Sequence, residues 1–212
     1  MSKKKKKKFY VVWKGRKTGI FNSWEECKVQ VENYPNAEYK SFFSRQLAER
    51  AFGGSYEEYI NFRELEPLSE AETIRIGKPI AQSYAVDASC IGVPGPMEYR
   101  CVHTTTRKEV FRRGPYENGT NNIGEFLAIV HALVVFKQKK NAVPIYSDSK
   151  IAIGWVEKRK CRTKLAQTQN NAELFELIER AENWLNENEY ENRVLKWWSQ
   201  AWGENPADFG RK

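Results

Sequence analysis

The sequence predicts an α/β protein in which a small β-β-α-β-α unit precedes a larger domain with a mixed five-stranded sheet. Short aromatic and β-branched runs alternate with helical stretches at the amino end, and a three-strand meander precedes alternating helices and strands from Ser83 onward. Residues 54–82 turn acidic without a sustained hydrophobic period, which is typical of a linker that can hold a helical turn. We therefore expect a basic disordered tail at 1–8, a small domain at 9–53, a linker at 54–82 and a large domain at 83–212.

The small unit is predicted from its turn and cap residues. The runs "FYVVWKG" and "TGIFNSW" are joined by Gly15-Arg16-Lys17, a signal for a hairpin. Ser23 with Glu26 three residues later predicts the start of a helix. The run "AEYKSFF" then predicts a third strand, and "SRQLAERAFG" predicts a helix that ends at glycine.

The large domain is predicted to begin with the strands "SYAVDASC", "MEYRCVHT" and "KEVFRRG". A long helix follows in "NNIGEFLAIVHALVVFKQKK", and "AVPIYSD" predicts a short buried strand. Two further helices, "SKIAIGWVEK" and "NAELFELIERAENWLNENE", precede the last strand "RVLKWWSQ". Asn205 suits a helix N-cap and Pro206 suits a first helical position, so a final helix is expected there.

Charge and cysteine content narrow the functional classes. The net charge is +8, and residues 1–53 carry all of this excess, with 13 basic and 5 acidic residues. Such an amino end favours attraction to a polyanion such as nucleic acid. The four cysteines form no Cys-x-x-Cys pair, and no apolar stretch is long enough for a secretory signal or a membrane span. We expect a reduced, cytoplasmic protein without a zinc cage.

Four acids lie at element boundaries of the large domain, and each alone has a structural explanation. Asp87 interrupts an apolar strand but can face solvent there, and Asp148 can cap the helix that follows its strand. Glu125 stands three residues after Asn122, the spacing of a capping box, and Asp208 stands three residues after Asn205. Together, however, converging carboxylates repel one another unless a hard divalent cation such as Mg²⁺ neutralises them. This conjunction predicts a two-metal nuclease.

The stretches "VDASCIGVPGP", "GTNNIGEFLAIVHAL", "PIYSDSK" and "LKWWSQAWGENPADFGRK" resemble the catalytic domain of type 1 ribonuclease H across 83–212. Likewise, "FYVVWKGRKTGIFNSWEEC" with "AEYKSF" resembles the amino-terminal, viroplasmin-like hybrid-binding domain of some of these enzymes. The resemblance implies a ribonuclease H-like fold and hydrolysis of the RNA strand of RNA–DNA hybrids, leaving 5′-phosphate and 3′-hydroxyl ends.

The resemblance also implies the roles of individual residues. Two Mg²⁺ ions, for which Mn²⁺ can substitute, would be held by Asp87, Glu125, Asp148 and Asp208, and no small-molecule cofactor is implied. The segment before Asp208 lacks the histidine of many members, and Glu204 matches the glutamate that one branch has instead, with a role in metal exchange or product release.

Substrate contacts are implied by the same resemblance. Gly92 matches a backbone contact to the RNA 2′-hydroxyl, although the adjacent Val93 replaces the usual asparagine. Thr120, Asn122 and Thr163 match a pocket for a phosphate of the DNA strand. Trp155 matches an aromatic residue that packs on a deoxyribose, and core filling is its alternative.

In the small domain, Tyr10, Trp24 and Tyr39 match aromatic residues that face DNA, and Lys40 matches a phosphate contact. Ser41 replaces a basic residue that often follows this lysine. The alternative is that the three aromatic side chains only form a small core. For the whole chain, the rivals are a non-catalytic nucleic-acid-binding protein and a related nuclease that acts on DNA.

Overall fold

The computed structural model describes residues 7–60, 62 and 67–210, and the chain divides into two compact units, Met1–Ser69 and Glu70–Lys212. Most of the predicted lysine tail lies outside the described residues, which include only its last two positions, Lys7 and Lys8. The domain boundaries given above stay predictions.

The first unit is a three-stranded antiparallel sheet covered by helices. Its elements are β1 (Phe9–Lys14), β2 (Gly19–Phe21), α1 (Trp24–Val31), β3 (Glu38–Phe42), α2 (Arg45–Phe52) and the short α3 (Tyr56–Tyr59). Strand β1 lies between the other two strands. The hydroxyl of Ser23 accepts a hydrogen bond from the Glu26 N–H, as the cap spacing predicts. The predicted β-β-α-β-α order is confirmed.

Residues beyond Gly53 belong to the packing of this unit. The indole N–H of Trp13 lies 3.0 Å from the carbonyl oxygens of both Ala51 and Gly54. The ring of Tyr59, from α3, stacks on Trp13 with 6.2 Å between centroids and packs edge-on against Phe42. Helix α3 thus enlarges a core that would otherwise be very small.

The second unit contains a mixed five-stranded sheet flanked by helices. Its elements are α4 (Glu70–Ile76), β4 (Tyr84–Cys90), β5 (Gly95–His103), β6 (Glu109–Gly119), α5 (Asn121–Gln138), β7 (Ile145–Ser147), α6 (Lys150–Glu157), α7 (Ala172–Glu187), β8 (Val194–Lys196) and α8 (Ser199–Trp202). The strand order is β6-β5-β4-β7-β8, antiparallel within β4–β6 and parallel at the β4–β7 and β7–β8 pairs. This confirms the predicted fold class.

Two local predictions differ from the structure. The helix expected at Pro206 is a single turn, in which the Asp208 N–H donates to the Asn205 carbonyl at 2.8 Å. Helix α5 begins at Asn121 with Thr120 as its N-cap, so Glu125 lies inside the helix and the capping-box alternative is wrong. Among the described residues, no helix is both long enough and apolar enough to cross a membrane.

Helix α5 is the central helix of the second unit because it is apolar on nearly every side. Residues 123–130 are all buried, and the helix packs on β4 and β5 as well as on α6 and α7. Gly124 allows the close approach to the sheet, since a Cβ atom there would lie 2.6 Å from both the Ala88 Cβ and the Met97 sulfur. The small residue therefore sets how near its neighbour Glu125 comes to β4.

We expect Gly124→Ala to lower the free energy of unfolding by about 1–3 kcal/mol, because the added methyl overpacks the contact with β4. Gly154→Ala is the matched control: Gly154 lies in α6, and a methyl group added there would meet nothing within 4 Å beyond its chain neighbours and its own helix backbone, so this variant should gain about 0.5–1 kcal/mol. Urea denaturation of both variants measures this. Equal stability of the two variants would contradict the close-packing argument.

Candidate active site

Three of the predicted acids converge beside the central strand. Carboxylate oxygens of Asp87, Glu125 and Asp148 all lie within 4.8 Å of one another. The parallel register pairs Ala85 of β4 with Tyr146 of β7, so Asp87 and Asp148, two residues further along each chain, lie side by side. Glu125 reaches the same point from α5. Three separate elements thus supply one cluster of carboxylates.

Glu125 is the most restrained of the three acids. Its side chain is 2% exposed, and its Oε1 accepts a hydrogen bond from the Ala88 N–H at 3.3 Å. Its Oε2 accepts from the hydroxyl of Ser147 at 3.1 Å, and that hydroxyl oxygen also accepts from the Ser149 N–H. Ser147, which no sequence signal identified, therefore couples the start of α6 to the buried glutamate.

Burial and mutual repulsion raise the pKa values of the two buried acids. The pKa of Asp87 is raised to about 7, chiefly by burial and further by the charges of Asp148 and Asp208. The pKa of Glu125 is raised well above its ordinary value by burial first and then by the charges of Asp87 and Asp148. The contact between the two side chains acts in opposite directions, because it lowers the pKa of Asp87 and raises that of Glu125.

Asp208 stands outside the group of three but close enough for its charge to raise the pKa of Asp87. The turn that carries it is anchored by Asn205, whose amide donates to the Val86 carbonyl at 2.9 Å. The same side chain accepts from the Ala207 N–H at 2.9 Å. Asn205, expected as a helix cap, thus fastens the turn to the strand of Asp87.

Lys196 contacts this cluster, whereas Glu204 lies four residues before Asp208 in the chain. Glu204 is exposed on the bend that leads into the Asn205 turn, and the preceding carbonyl, of Gly203, accepts from the Trp197 indole. The ammonium of Lys196 on β8 donates to the Asp148 carbonyl. Burial lowers the pKa of Lys196, whereas the charge of Asp148 raises it. Sequence reasoning missed Lys196 because the alternation of polar and apolar residues in its strand does not show that this lysine faces the carboxylates.

The donor set fits a hard divalent cation. Carboxylate oxygens are the ligands that Mg²⁺ prefers, and here three carboxylates lie close together, those of Asp87 and Glu125 buried and that of Asp148 half-buried. The residues present could therefore hold a divalent metal.

The predicted substrate residues lie in several segments. Gly92, with φ +94°, lies in the turn between β4 and β5, and the sulfur of Cys90 is 3.2 Å from its carbonyl and 3.4 Å from the carbonyl of Gly119. This brings the Gly92 turn next to Thr120, which immediately follows Gly119. The carbonyl of Thr120 accepts from the first turn of α5, which presents Asn122 at the surface.

Trp155 and Thr163 lie on α6 and on the loop after it. Trp155 is half-buried and meets Phe126 edge-on at 6.2 Å between centroids, so part of its ring does fill the core. Thr163 is half-buried, and its hydroxyl accepts from the Leu165 N–H at 3.1 Å.

The small unit presents a continuous aromatic surface. The ring centroid of Trp24 lies 5.8 Å from that of Tyr10 and 5.9 Å from that of Tyr39. Trp24 and Tyr39 are 39% and 40% exposed, which is more than a core function requires. Lys40 follows directly, and its ammonium donates to the Ile60 carbonyl at 3.0 Å. The arrangement suits the stacking of bases or sugars.

Comparison with known proteins assigns the chain to a family. The RNase H family model matches residues 81–196, and the ribonuclease H1 N-terminal domain model matches residues 8–52. The chain belongs to the ribonuclease H family. Both the family and the two-part composition expected from the sequence are thereby confirmed.

The curated relatives resemble the ribonuclease H chain most strongly at its amino end. A ribonuclease H from Saccharomyces cerevisiae is 53% identical over 45 residues, which are 21% of this chain and 13% of that protein. A ribonuclease H from Neorickettsia sennetsu is 33% identical over 98 residues, 42% of this chain and 64% of that protein. One from Schizosaccharomyces pombe is 22% identical over an alignment of 255 positions that covers 96% of both.

Among solved structures, RNase H1 from Halobacterium salinarum matches with a TM-score of 0.35 and 19% identity, covering 54% of this chain and 83% of that chain. The alignments to the Saccharomyces cerevisiae protein and to the ribonuclease H1 of Mus musculus span only 13% and 14% of those proteins' length.

The raised pKa of Asp87 gives a prediction for the metal-free protein. Its folded-state pKa, about 7, exceeds its ordinary value of 3.8, so the stability that it contributes is complete below that lower value and is lost as pH rises through 7. In EDTA, the wild type should therefore unfold more easily at about pH 8 than at about pH 5. Asp87→Asn should be more stable than the wild type at pH 8 by about 1–3 kcal/mol. A tenfold difference in an acid dissociation constant between the folded and unfolded states corresponds to about 1.4 kcal/mol.

Thermal denaturation at a series of pH values measures this difference. Glu117→Gln, which neutralises an exposed acid on β6, is the control and should keep the wild-type pH dependence. An unchanged pH dependence in Asp87→Asn would contradict the unfavourable burial of its charge.

Proposed function

We propose that the chain is a Mg²⁺-dependent ribonuclease H that hydrolyses the RNA strand of RNA–DNA hybrids and leaves 5′-phosphate and 3′-hydroxyl ends. The observation that carries this proposal is the convergence of Asp87, Glu125 and Asp148 from three elements of a family domain. The aromatic surface of the matched amino-terminal domain supports a nucleic-acid substrate. A cytoplasmic location stays a prediction.

In this proposal Asp87, Glu125, Asp148 and Asp208 hold two Mg²⁺ ions, with Mn²⁺ as a substitute. When bound, the ions lower the pKa of an attacking water and stabilise charge on the leaving oxygen. The protein's own contribution is rigidity. The Ala88 N–H and the Ser147 hydroxyl fix both oxygens of Glu125, so that its carboxylate need not reorganise when substrate binds.

The remaining residues select and release the substrate. The Gly92 backbone contacts the RNA 2′-hydroxyl, the group that distinguishes RNA from DNA. Thr120, Asn122 and Thr163 bind a DNA-strand phosphate, and the exposed part of Trp155 packs on a deoxyribose. The exposed Glu204, on the bend before the Asn205 turn, assists metal exchange or product release.

Asp148→Asn tests the chemistry. The variant should fold and bind hybrid normally, but its cleavage rate in Mg²⁺ should fall on the order of a hundredfold or more, because a charged ligand is lost at the reacting phosphate. Glu157→Gln, which neutralises an exposed acid at the end of α6, should cleave at the wild-type rate. Gel assays on matched hybrid, duplex DNA and duplex RNA measure both variants.

Those same assays test the proposed function itself. Wild-type protein that binds hybrid but cuts none of the three substrates in Mg²⁺ or Mn²⁺ would favour the non-catalytic alternative. Equal cutting of duplex DNA would favour the related DNA nuclease.

Trp24→Ala tests the aromatic surface of the small unit. Removing the central ring should weaken binding to a long hybrid by about 1–3 kcal/mol, the range for loss of one stacking partner. Val29→Ala, on the same helix and 63% exposed, is the matched control and should bind as the wild type does. Fluorescence anisotropy with labelled hybrid measures both. Identical affinities would leave the aromatic residues a structural role only.

A further inference from the structure

Arg100 of β5 lies directly opposite Asp87 in the antiparallel register, and cross-strand partners project to the same face of a sheet. Its side chain contacts the segment that carries Asp208. The Nε atom donates to the Ala207 carbonyl at 2.8 Å, and Nη2 donates to the Asp208 carbonyl at 2.5 Å. A planar guanidinium thus bridges two successive carbonyls, a geometry that the single ammonium of lysine cannot reproduce.

Other contacts fix the guanidinium in this place. Its Nη1 lies 3.7 Å from the Glu109 carboxylate, and its centre lies 4.7 Å from the ring centroid of Phe209. The Arg100 side chain is 19% exposed, so solvent competes little for its donors. Arg112 also faces Phe209, at 5.2 Å, and its hydrogen bonds go to acids and not to this segment.

The segment that carries Asp208 needs such a fastening because it belongs to neither the sheet nor a helix. Asn205 fixes the start of the turn to β4. Within the turn, the Asp208 N–H donates to the Asn205 carbonyl and the Ala207 N–H donates to the Asn205 side chain, so both hydrogen bonds depend on Asn205. Without further hydrogen bonds at Ala207 and Asp208, the main chain there could rotate about the point where Asn205 bonds to β4, and the Asp208 carboxylate would be displaced.

We infer that Arg100 is a positioning residue that holds the main chain at Asp208, so that the Asp208 carboxylate faces Asp87. It acts through geometry and touches no reacting atom. The consequence for cleavage rests on the proposed function, whereas the consequence for the order of the segment does not.

The test compares Arg100→Lys with Arg112→Lys. Both variants keep the positive charge, but only the first removes a bridge to the Ala207 and Asp208 carbonyls. We expect kcat for hybrid cleavage in Arg100→Lys to fall about 10- to 100-fold with KM nearly unchanged, as a displacement of about 1 Å can cause. A higher Mg²⁺ concentration should be needed for half-maximal rate. Arg112→Lys should match the wild type in both measurements.

Hydrogen exchange in the metal-free protein gives a readout that is independent of activity. The amides of Asp208 and Gly210 donate to the Asn205 carbonyl and to the Asp208 carboxylate. In Arg100→Lys both amides should exchange about tenfold faster, because the segment opens locally more often when it loses the hydrogen bonds from Arg100. The Ala88 amide, bonded to Glu125, should keep its wild-type rate in the same sample.

The two measurements separate failure of this inference from failure of the proposed function. If the wild type cuts no hybrid, the proposed function is wrong and the exchange rates still decide the role of Arg100. Unchanged exchange at Asp208 and Gly210 would overturn the inference. It would also be overturned by equally faster exchange at Ala88, which indicates general destabilisation, or by equal loss of kcat in Arg112→Lys.

Discussion

The second unit is organised around an unfavourable interaction, the repulsion between carboxylates buried next to one another beside β4. Asp87 is 7% exposed and Glu125 is 2% exposed, and water cannot screen charges at such depth. The fold tolerates them by supplying hydrogen bonds to Glu125 from the Ala88 N–H and the Ser147 hydroxyl. This tolerance is incomplete, as the raised pKa of Asp87 shows. Because burying these carboxylates without a cation destabilises the fold, binding of a cation would relieve their repulsion and be favourable.

Close packing brings the two buried acids together. A helix carrying Glu125 at the ordinary distance from a sheet would leave its carboxylate further from β4. Gly124 removes the side chain that would separate α5 from Ala88 and Met97, and the apolar surface around it supplies the free energy that offsets the burial of charge. Two adjacent residues of α5 therefore have linked roles: Gly124 determines how closely the helix packs on the sheet, and Glu125 contributes the buried charge.

Most of the fold could be predicted from the sequence because hydrophobic period and cap residues are local signals, and the convergence of Asp87, Glu125 and Asp148 could be expected because each stands at an element boundary of one domain. Glu125 shows where such signals fail: its spacing from Asn122 satisfies a capping box, yet the helix starts at Asn121 with Thr120 as its N-cap. Asn205 likewise has cap chemistry, but its amide is used across the fold, on Val86. Lys196 and Arg100 act through partners distant in sequence, which no local pattern encodes.

The acids differ in how firmly the fold holds them, and this difference has a chemical meaning. Asp87 and Glu125 belong to a central strand and a buried helix, and Asp148 directly follows a buried strand, so the core fixes the main chain at all three. Asp208 follows a turn that the side chains of Asn205 and Arg100 hold in place through hydrogen bonds. The exposed Glu204 lies on the bend before this turn. A reaction that must both hold ions during bond cleavage and let product depart needs firm and yielding ligands in one site. Under the proposed function, the chain would meet both needs, because three of the acids are built into the core and Asp208 is attached to it by side-chain hydrogen bonds.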